Sequence, residues 1–247
     1  MSRRFQVKVV PIMWIEENNS RFDCGPYVGG AIEAREKIVQ LHAPINKLRE
    51  LTGGIEGIIN AGRIPRVWVD SSNYGKAFLQ GTDILQADIS SLNYIADSIV
   101  RQNKNLLIKE RWILITRSGS IGRMAYSRAD MNGFACTEDV LRIIPDEQSV
   151  LPGYLFAYLN SRYGVPLVIA GTYGSIITHL EPEHLADLPV PRLGAVEEKA
   201  HELVQRAADL RVEAAALLKE CGETLNQTLG FPDRMSMSYR SFSCTLV

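Results

Sequence analysis

The sequence predicts an α+β protein: a mixed, β-rich body with short helices, followed by one long protruding C-terminal helix of coiled-coil type. Two observations predict this. Between residues 58 and 145, short apolar or alternating runs are separated by polar and glycine-containing turns, the pattern of strands and hairpins. After Gly194 the pattern changes to an apolar repeat every seven residues, sustained over four heptads. The expected boundaries are a body over 1–193, a helix over 194–229 and a tail over 230–247.

Along the chain, residues 27–51 read as helical, with Ile32, Ile38, Leu41, Leu48 and Leu51 as a loose apolar stripe ended by Gly53, Gly54 and Gly57. VWVD, FLQGTDI, WILIT and GRMAYS then read as strands. FACTEDVLRIIP (134–145) reads as one further strand stopped by Pro145. Pro152 opens a short helix, YLFAYLNS, expected to stop at Gly164. AGTYGSIITHL (170–180) is a glycine-punctuated loop, and the proline-spaced LPVPRLG (188–194) reads as a linker.

In the last helix Val196, Leu203, Leu210 and Leu217 alternate with Ala200, Ala207, Ala214 and Cys221 in an a/d pattern. Glu197 and Glu198 occupy the first turn, where the helix dipole favours acids, and Glu197 and Lys199 read as solvated flanking charges. Gly230 and Pro232 end the helix. About 35 residues make a rod roughly 50 Å long, too long to lie wholly on a body of this size. Small residues at alternate layers allow close approach of a partner helix.

The chain has 247 residues, enough for one large domain or a domain with an appendage, and 46% of them are hydrophobic. No apolar run reaches the length of a membrane span. SRRFQVK only faintly echoes an export signal, because Lys8 and Pro11 interrupt the apolar stretch behind the two arginines. Cys24, Cys136, Cys221 and Cys244 are far apart and form no C-x-x-C pair, so free thiols and a cytoplasmic location are expected. The net charge of −1 hides an uneven distribution. From Arg101 to Arg128 there are seven bases against one acid, a net of +6, while Glu181 to Glu223 carries ten acids against five bases, a net of −5. Local charge decides which surface meets a polyanion.

The stretch ILITRSGSIGRMAYS (113–127) concentrates Arg117, Ser118, Ser120 and Arg123 in a glycine-containing turn. It is not a nucleophile elbow, since Ser118 stands where G-x-S-x-G requires its first glycine. Neither phosphate-binding nor dinucleotide-binding glycine motifs occur. His179 and His184 are five apart, a poor spacing for a metal on one helical face, and no metal or cofactor is expected. The Asn/Asp-Pro-Pro-aromatic loop of amino-methyltransferases is absent. Asp187 with Glu197 and Lys199 fits an acid–acid-x-Lys nuclease pattern only loosely. No catalytic constellation is expected.

WILITRSGSIGRMAY and GKAFLQGTDI (75–84) together resemble the target-recognition domain of type I restriction enzyme specificity subunits. YLFAYLNSRYG, GTYGSIITHLEPEHLADLPVPRL and the long helix come in that family's order, and RFDCGPY (21–27) resembles a motif near the start of some members. The resemblance covers roughly residues 20–229. One departure is local: the family usually has Gly-Asp before the apolar strand, where this chain has Glu110-Arg111-Trp112.

The resemblance implies a non-catalytic, DNA-binding specificity subunit. Its body would read one half of a split double-stranded DNA target. Its helix would pair antiparallel with a second helix and dock DNA methyltransferase (modification) subunits and, through them, a restriction or translocase subunit. Because members read different sequences, the shared turn is expected to serve scaffold and phosphate contact, through Arg117, Ser118, Ser120 and Arg123. Its structural alternative is a hairpin whose glycines turn the chain while Thr116 and Ser118 satisfy its backbone. Base reading would fall to loops at 61–76 (Arg63, Arg66, Asn73, Tyr74, Lys76) and 171–179 (Thr172, Tyr173, Ser175). Arg3-x-Phe5-x-x-x-Val9-Val10 resembles Arg240-x-Phe242-x-x-x-Leu246-Val247. This suggests that a second copy begins where the chain stops, so the chain is either half of a longer subunit or a half-subunit that forms a homodimer. The competing classes are a stand-alone nuclease and an orphan DNA-binding regulator.

Overall fold

A computed structural model describes residues 29–171 and 179–230, with residues 7, 9–17, 20, 22, 24 and 27. The fold is α+β, as the sequence predicts. In chain order come α1 (Ile12–Glu17), α2 (Ala31–Gln40), β1 (Ile45–Lys47), β2 (Ile58–Ile59), β3 (Trp68–Val69), β4 (Gly75–Leu79) and β5 (Tyr94–Ala96). Next are α3 (Asp97–Gln102), β6 (Ile113–Thr116), β7 (Met124–Tyr126), β8 (Ala135–Cys136) and β9 (Val140–Ile143). The last elements are α4 (Pro152–Leu159), α5 (Gly164–Ala170), α6 (Pro182–Ala186), β10 (Pro189–Pro191) and α7 (Ala195–Leu229).

Two four-stranded sheets form the body, in the orders β2-β9-β6-β7 and β3-β5-β4-β8. Strand β6 is central to the first and apolar on both faces. Ile113 and Ile115 join a core with Leu155, Leu159, Leu167 and Val168 of α4 and α5. Leu114 joins a second core with Leu79, Ile84 and Ile108. A strand covered on both sides reads as a continuous apolar run, which is why ILIT is legible.

The structure corrects four local expectations. The helix read over 27–51 ends at Gln40. His42 turns the chain at φ 51° and Pro44 comes two residues later, so Leu48 and Leu51 reach the core from a 3-10 turn and Leu41 stays exposed. The 134–145 stretch forms two strands, β8 and β9, not one. Gly164 begins α5; a Cβ there would lie 2.3 Å from the Tyr158 carbonyl oxygen, so a close packing between α4 and α5 selects glycine. The proline-spaced linker is strand β10, paired antiparallel with β1 from Ile45↔Pro191 to Lys47↔Pro189. The hydroxyls of Tyr154 and Tyr158 donate to the carbonyls of Pro191 and Pro189, which the proline nitrogens leave as the strand's main polar groups.

These contacts anchor the root of α7. Glu197 is another correction: it is buried, not solvated, and accepts from Arg192 Nε at 3.1 Å, Arg192 Nη2 at 2.9 Å and Leu193 N at 2.6 Å. Burial alone would raise its pKa, but these donors outweigh burial and hold the carboxyl below its ordinary value. One turn further, the Gly153 N–H donates to His201 Nδ1 at 3.0 Å, and a Cβ on Gly153 would lie 2.9 Å from the His201 Cα. Gly153 therefore lets α4 and α7 approach at backbone distance. Tyr126 Oη donates to Gln205 Oε1 at 3.1 Å, and Ala208 is buried. Beyond about residue 212 the helix is exposed on nearly every side.

Candidate nucleic-acid interface

The turn between β6 and β7 is built by Thr116. Its hydroxyl donates to the Ser120 carbonyl at 2.6 Å and accepts from Arg123 N at 3.0 Å. Gly122 N donates to the Thr116 carbonyl at 3.0 Å. Gly119 and Gly122 have φ 68° and 79°, values that side chains other than glycine strain to adopt. Gly122 is also packed, since an added Cβ would lie 2.9 Å from Ile169 Cγ1. Ser118 does not satisfy the turn's own backbone; its hydroxyl donates to Asp139 Oδ1 at 2.7 Å.

The two arginines of this turn are placed differently. Arg117 is drawn to the protein: Nε donates to the Leu180 carbonyl at 3.1 Å and Nη2 to Glu181 Oε1 at 2.5 Å. Arg123 is exposed and has no ion pair among the described residues. It lines an open cleft of about 380 Å3 with Ser118, Gly119, Ser120, Thr82 and Gly81. The cleft thus joins the two stretches read as motifs, 75–84 and 113–127.

Other members of the basic segment divide the same way. Arg111 pairs with Glu147 at 3.4 Å, and Arg128 is buried in a two-pronged pair with Asp130 at 3.0 and 3.0 Å. Arg101, Lys104 and Lys109 are exposed, without ion pairs among the described residues.

The 61–76 region presents Arg63, Arg66, Asn73, Tyr74 and Lys76, all exposed, beside Trp68, which is half exposed. Arg66 is held: its Nη2 lies 3.4 Å from Thr137 Oγ1 and 3.5 Å from Glu138 Oε2. Thr172, Tyr173 and Ser175, and all of the terminal repeat except Val9 and Val10, lie outside the described residues.

On α7, Val196, Leu203, Leu210 and Leu217 are 58%, 56%, 53% and 58% exposed, so the face carrying the heptad leucines is not the face that packs on the body. Ala207, Ala214 and Cys221 are also exposed, while Ala200 is half-buried against the core.

Arg142 does not stand out in the sequence, where it is one cation in an apolar strand. It is fully buried, and its guanidinium donates to the carbonyls of Thr137 at 3.0 Å, Val140 at 2.5 Å, Leu106 at 3.3 Å and Cys136. Burial holds its pKa below the usual arginine value. The acids of the loose nuclease pattern have other partners: Asp187 pairs with Lys47 at 3.1 Å and Arg49 at 2.8 Å, while Glu197 pairs with Arg192. Among the described residues, no group of three or more His, Cys, Asp or Glu side chains is placed to hold a metal ion, and no helix is long and apolar enough to cross a membrane.

No family model matches the chain. In sequence it is similar to the type I restriction enzyme EcoBI specificity subunit of Escherichia coli, 28% identical over 140 residues. That match covers 57% of this chain, which spans 29% of the relative's length. The resemblance read from the motifs is therefore also found by comparison of the chain with a curated protein. Among solved structures, the type I restriction-modification S subunit from M. genitalium superposes with a TM-score of 0.47 at 15% identity, covering 75% of this chain and 44% of that one. The HsdS subunit from Thermoanaerobacter tengcongensis gives 0.44 at 15% identity, covering 75% and 47%.

Proposed function

We propose that this chain is a non-catalytic DNA-recognition module of a type I restriction-modification system. Its body binds one half of a bipartite double-stranded target, and its long helix pairs with a second helix and docks methyltransferase subunits. Methylation and cleavage then belong to those partners and to a translocase bound through them. The observation that carries this reading is the coexistence, in a chain similar in sequence to a specificity subunit, of exposed cations without ion pairs among the described residues (Arg101, Lys104, Lys109 and Arg123) and a helix whose heptad leucines are exposed.

The division of labour comes from exposure. Arg123 and the cleft beside it contact phosphate, with Arg101, Lys104 and Lys109 adding sequence-independent attraction. Arg117 holds the turn to the segment at Leu180–Glu181 and is not a phosphate contact in this proposal. The 61–76 region, with its mixture of donors and exposed aromatic rings, reads bases. The exposed leucines of α7 are an apolar strip of a kind that soluble proteins usually cover. A second copy of the chain or the second half of a longer subunit is the first occupant. An antiparallel pair of roughly 50 Å rods separates two bodies along one DNA duplex, and two identical bodies then read an inverted repeat. The module works where DNA is found, in the cytoplasm.

The test is direct. The purified chain, incubated with plasmid DNA, magnesium and S-adenosylmethionine, is expected to bind DNA in a salt-dependent manner without cutting or methylating it. Strand cleavage that co-purifies with the chain favours the nuclease class. Light scattering at micromolar concentration is expected to report a dimer, and Ala214→Trp on the exposed face is expected to weaken it.

A further inference from the structure

We propose that Arg66 is a pre-oriented reader of a guanine edge and that Glu138 is the positioning residue that aims it. This rests on the reading of the body as a sequence-specific DNA binder and names a base and a residue within it.

The guanidinium of Arg66 is not a free surface cation. Its Cζ sits 5.8 Å from the centroid of the Phe78 ring, and Phe78 is 1% exposed. Trp68 meets the same ring edge-on, at 5.3 Å and 82°. The ring is fixed in the core beside Ile95, so it is a rigid platform. At the guanidinium's edge, Nη2 is 3.4 Å from Thr137 Oγ1 and 3.5 Å from Glu138 Oε2. Glu138 is itself held, accepting from Thr137 Oγ1 at 3.1 Å, and its side chain is mostly buried. The Nε and Nη1 of Arg66 make no hydrogen bond among the described residues, and 39% of the side chain is exposed. A fork of Nη2 with either neighbouring nitrogen is left if Nη2 keeps one of its two hydrogens toward Thr137 and Glu138 and offers the other.

Two uses of an exposed arginine differ in what they require. A phosphate contact needs positive charge and tolerates many orientations. A base contact needs the planar fork in one orientation, because both donors must meet the O6 and N7 of one guanine. A carboxylate at 3.5 Å weakens Arg66 as a phosphate contact and fixes it for the second use. Restraint before binding also reduces the rotamer entropy lost on binding. Arg63 and Lys76, exposed with no ion pair among the described residues, show the contrasting arrangement.

The residues that hold Arg66 also tie it to the phosphate-contact turn. Thr137 and Glu138 face Arg66. The next residue, Asp139, accepts from Ser118 Oγ at 2.7 Å through its carboxylate and from Arg117 N at 2.7 Å through its carbonyl. Segment 137–139 therefore sets the distance between reader and backbone anchor.

The experiment is selection of preferred duplexes from a randomised DNA pool by the full chain, then binding of the selected duplex and its single-base variants. The wild type is expected to enrich one guanine position that Arg66→Lys and Arg66→Ala lose. Discrimination at that position should fall by about 5- to 150-fold, the range of one bidentate base contact. Arg66→Lys keeps the charge, so its salt dependence should match the wild type. Glu138→Gln should reduce discrimination at the same position while leaving binding to unrelated duplexes equal or tighter. Thermal melting of Arg66→Lys and Glu138→Gln checks that they are folded. An even loss of affinity across all sequences in Arg66→Lys, or an unchanged preference in all three variants, overturns the role of Arg66. If the wild type binds no duplex, the DNA-reading proposal itself fails, and this one with it.

Discussion

Arg117 and Arg123 flank the same turn, six residues apart, and the fold uses them in opposite ways. Arg117 is bound to the Leu180 carbonyl and the Glu181 carboxylate, so its charge holds the turn to the segment that leads into α6. Arg123 lines an open cleft and is exposed. The same split runs through the basic segment: Arg111 and Arg128 have acid partners, while Arg101, Lys104 and Lys109 have none among the described residues. A count of charges along the chain weighs all seven bases equally, whereas a polyanion meets only those without an internal partner.

Arg142 marks the inward extreme of this comparison and gives the largest expected effect. Four carbonyls depend on its guanidinium, and it is 0% exposed. Arg142→Ala removes their donors and leaves a cavity in the β8–β9 corner, and the expected loss is about 4 kcal/mol of stability by denaturant titration. A loss below about 1 kcal/mol would mean that water replaces the guanidinium and that the inward arginines are not structural.

The pair in the turn gives the sharpest contrast. Arg117→Ala should cost about 2 kcal/mol of stability, the scale of a lost charge-assisted hydrogen bond, and should change DNA affinity little once the folded fraction is accounted for. Arg123→Ala should leave stability within about 0.5 kcal/mol. It should weaken DNA binding evenly across sequences and lower the slope of log affinity against log salt by about one. The comparison breaks if the two variants exchange these phenotypes.

Periodicity carried much of the fold. The both-faces-apolar run of β6 and the heptads of α7 are legible because one spacing of apolar residues repeats along the element. The illegible features depended on partners distant in sequence. β10 is a strand because β1 and two tyrosines meet it, not because of its own prolines. Glu197 is buried because Arg192 folds back on it, although a first-turn glutamate ordinarily faces water. Within the candidate interface, the cleft brings 75–84 beside 113–127, stretches that are distant in sequence. The commitment of Arg117 and the bracket of Thr137 and Glu138 around Arg66 needed the third dimension.

The smallest expected effect concerns Arg111, in the Glu110-Arg111-Trp112 stretch that precedes β6. Arg111 adopts φ 66°, in the left-handed region. Its N–H donates to the Ser127 carbonyl at 2.8 Å, so the conformation is fixed by the end of the β6–β7 ladder. A side chain in that region costs about 1–2 kcal/mol. Against this, glycine adds about 0.5–1 kcal/mol of backbone entropy to the unfolded chain. The Arg111–Glu147 pair at 3.4 Å has partners 41% and 58% exposed, and surface pairs of this kind contribute about 0–1 kcal/mol. Arg111→Gly is therefore expected to raise stability slightly, by about 0.5 kcal/mol, or about 1–2 °C in Tm for a chain of this size. DNA affinity should stay unchanged, because this arginine already has an acid partner. A fall of more than about 2 °C would show that the pair with Glu147 holds the turn. Weakened DNA binding at unchanged Tm would show that a paired arginine can still serve the polyanion, and the division between inward and outward cations would have to be redrawn.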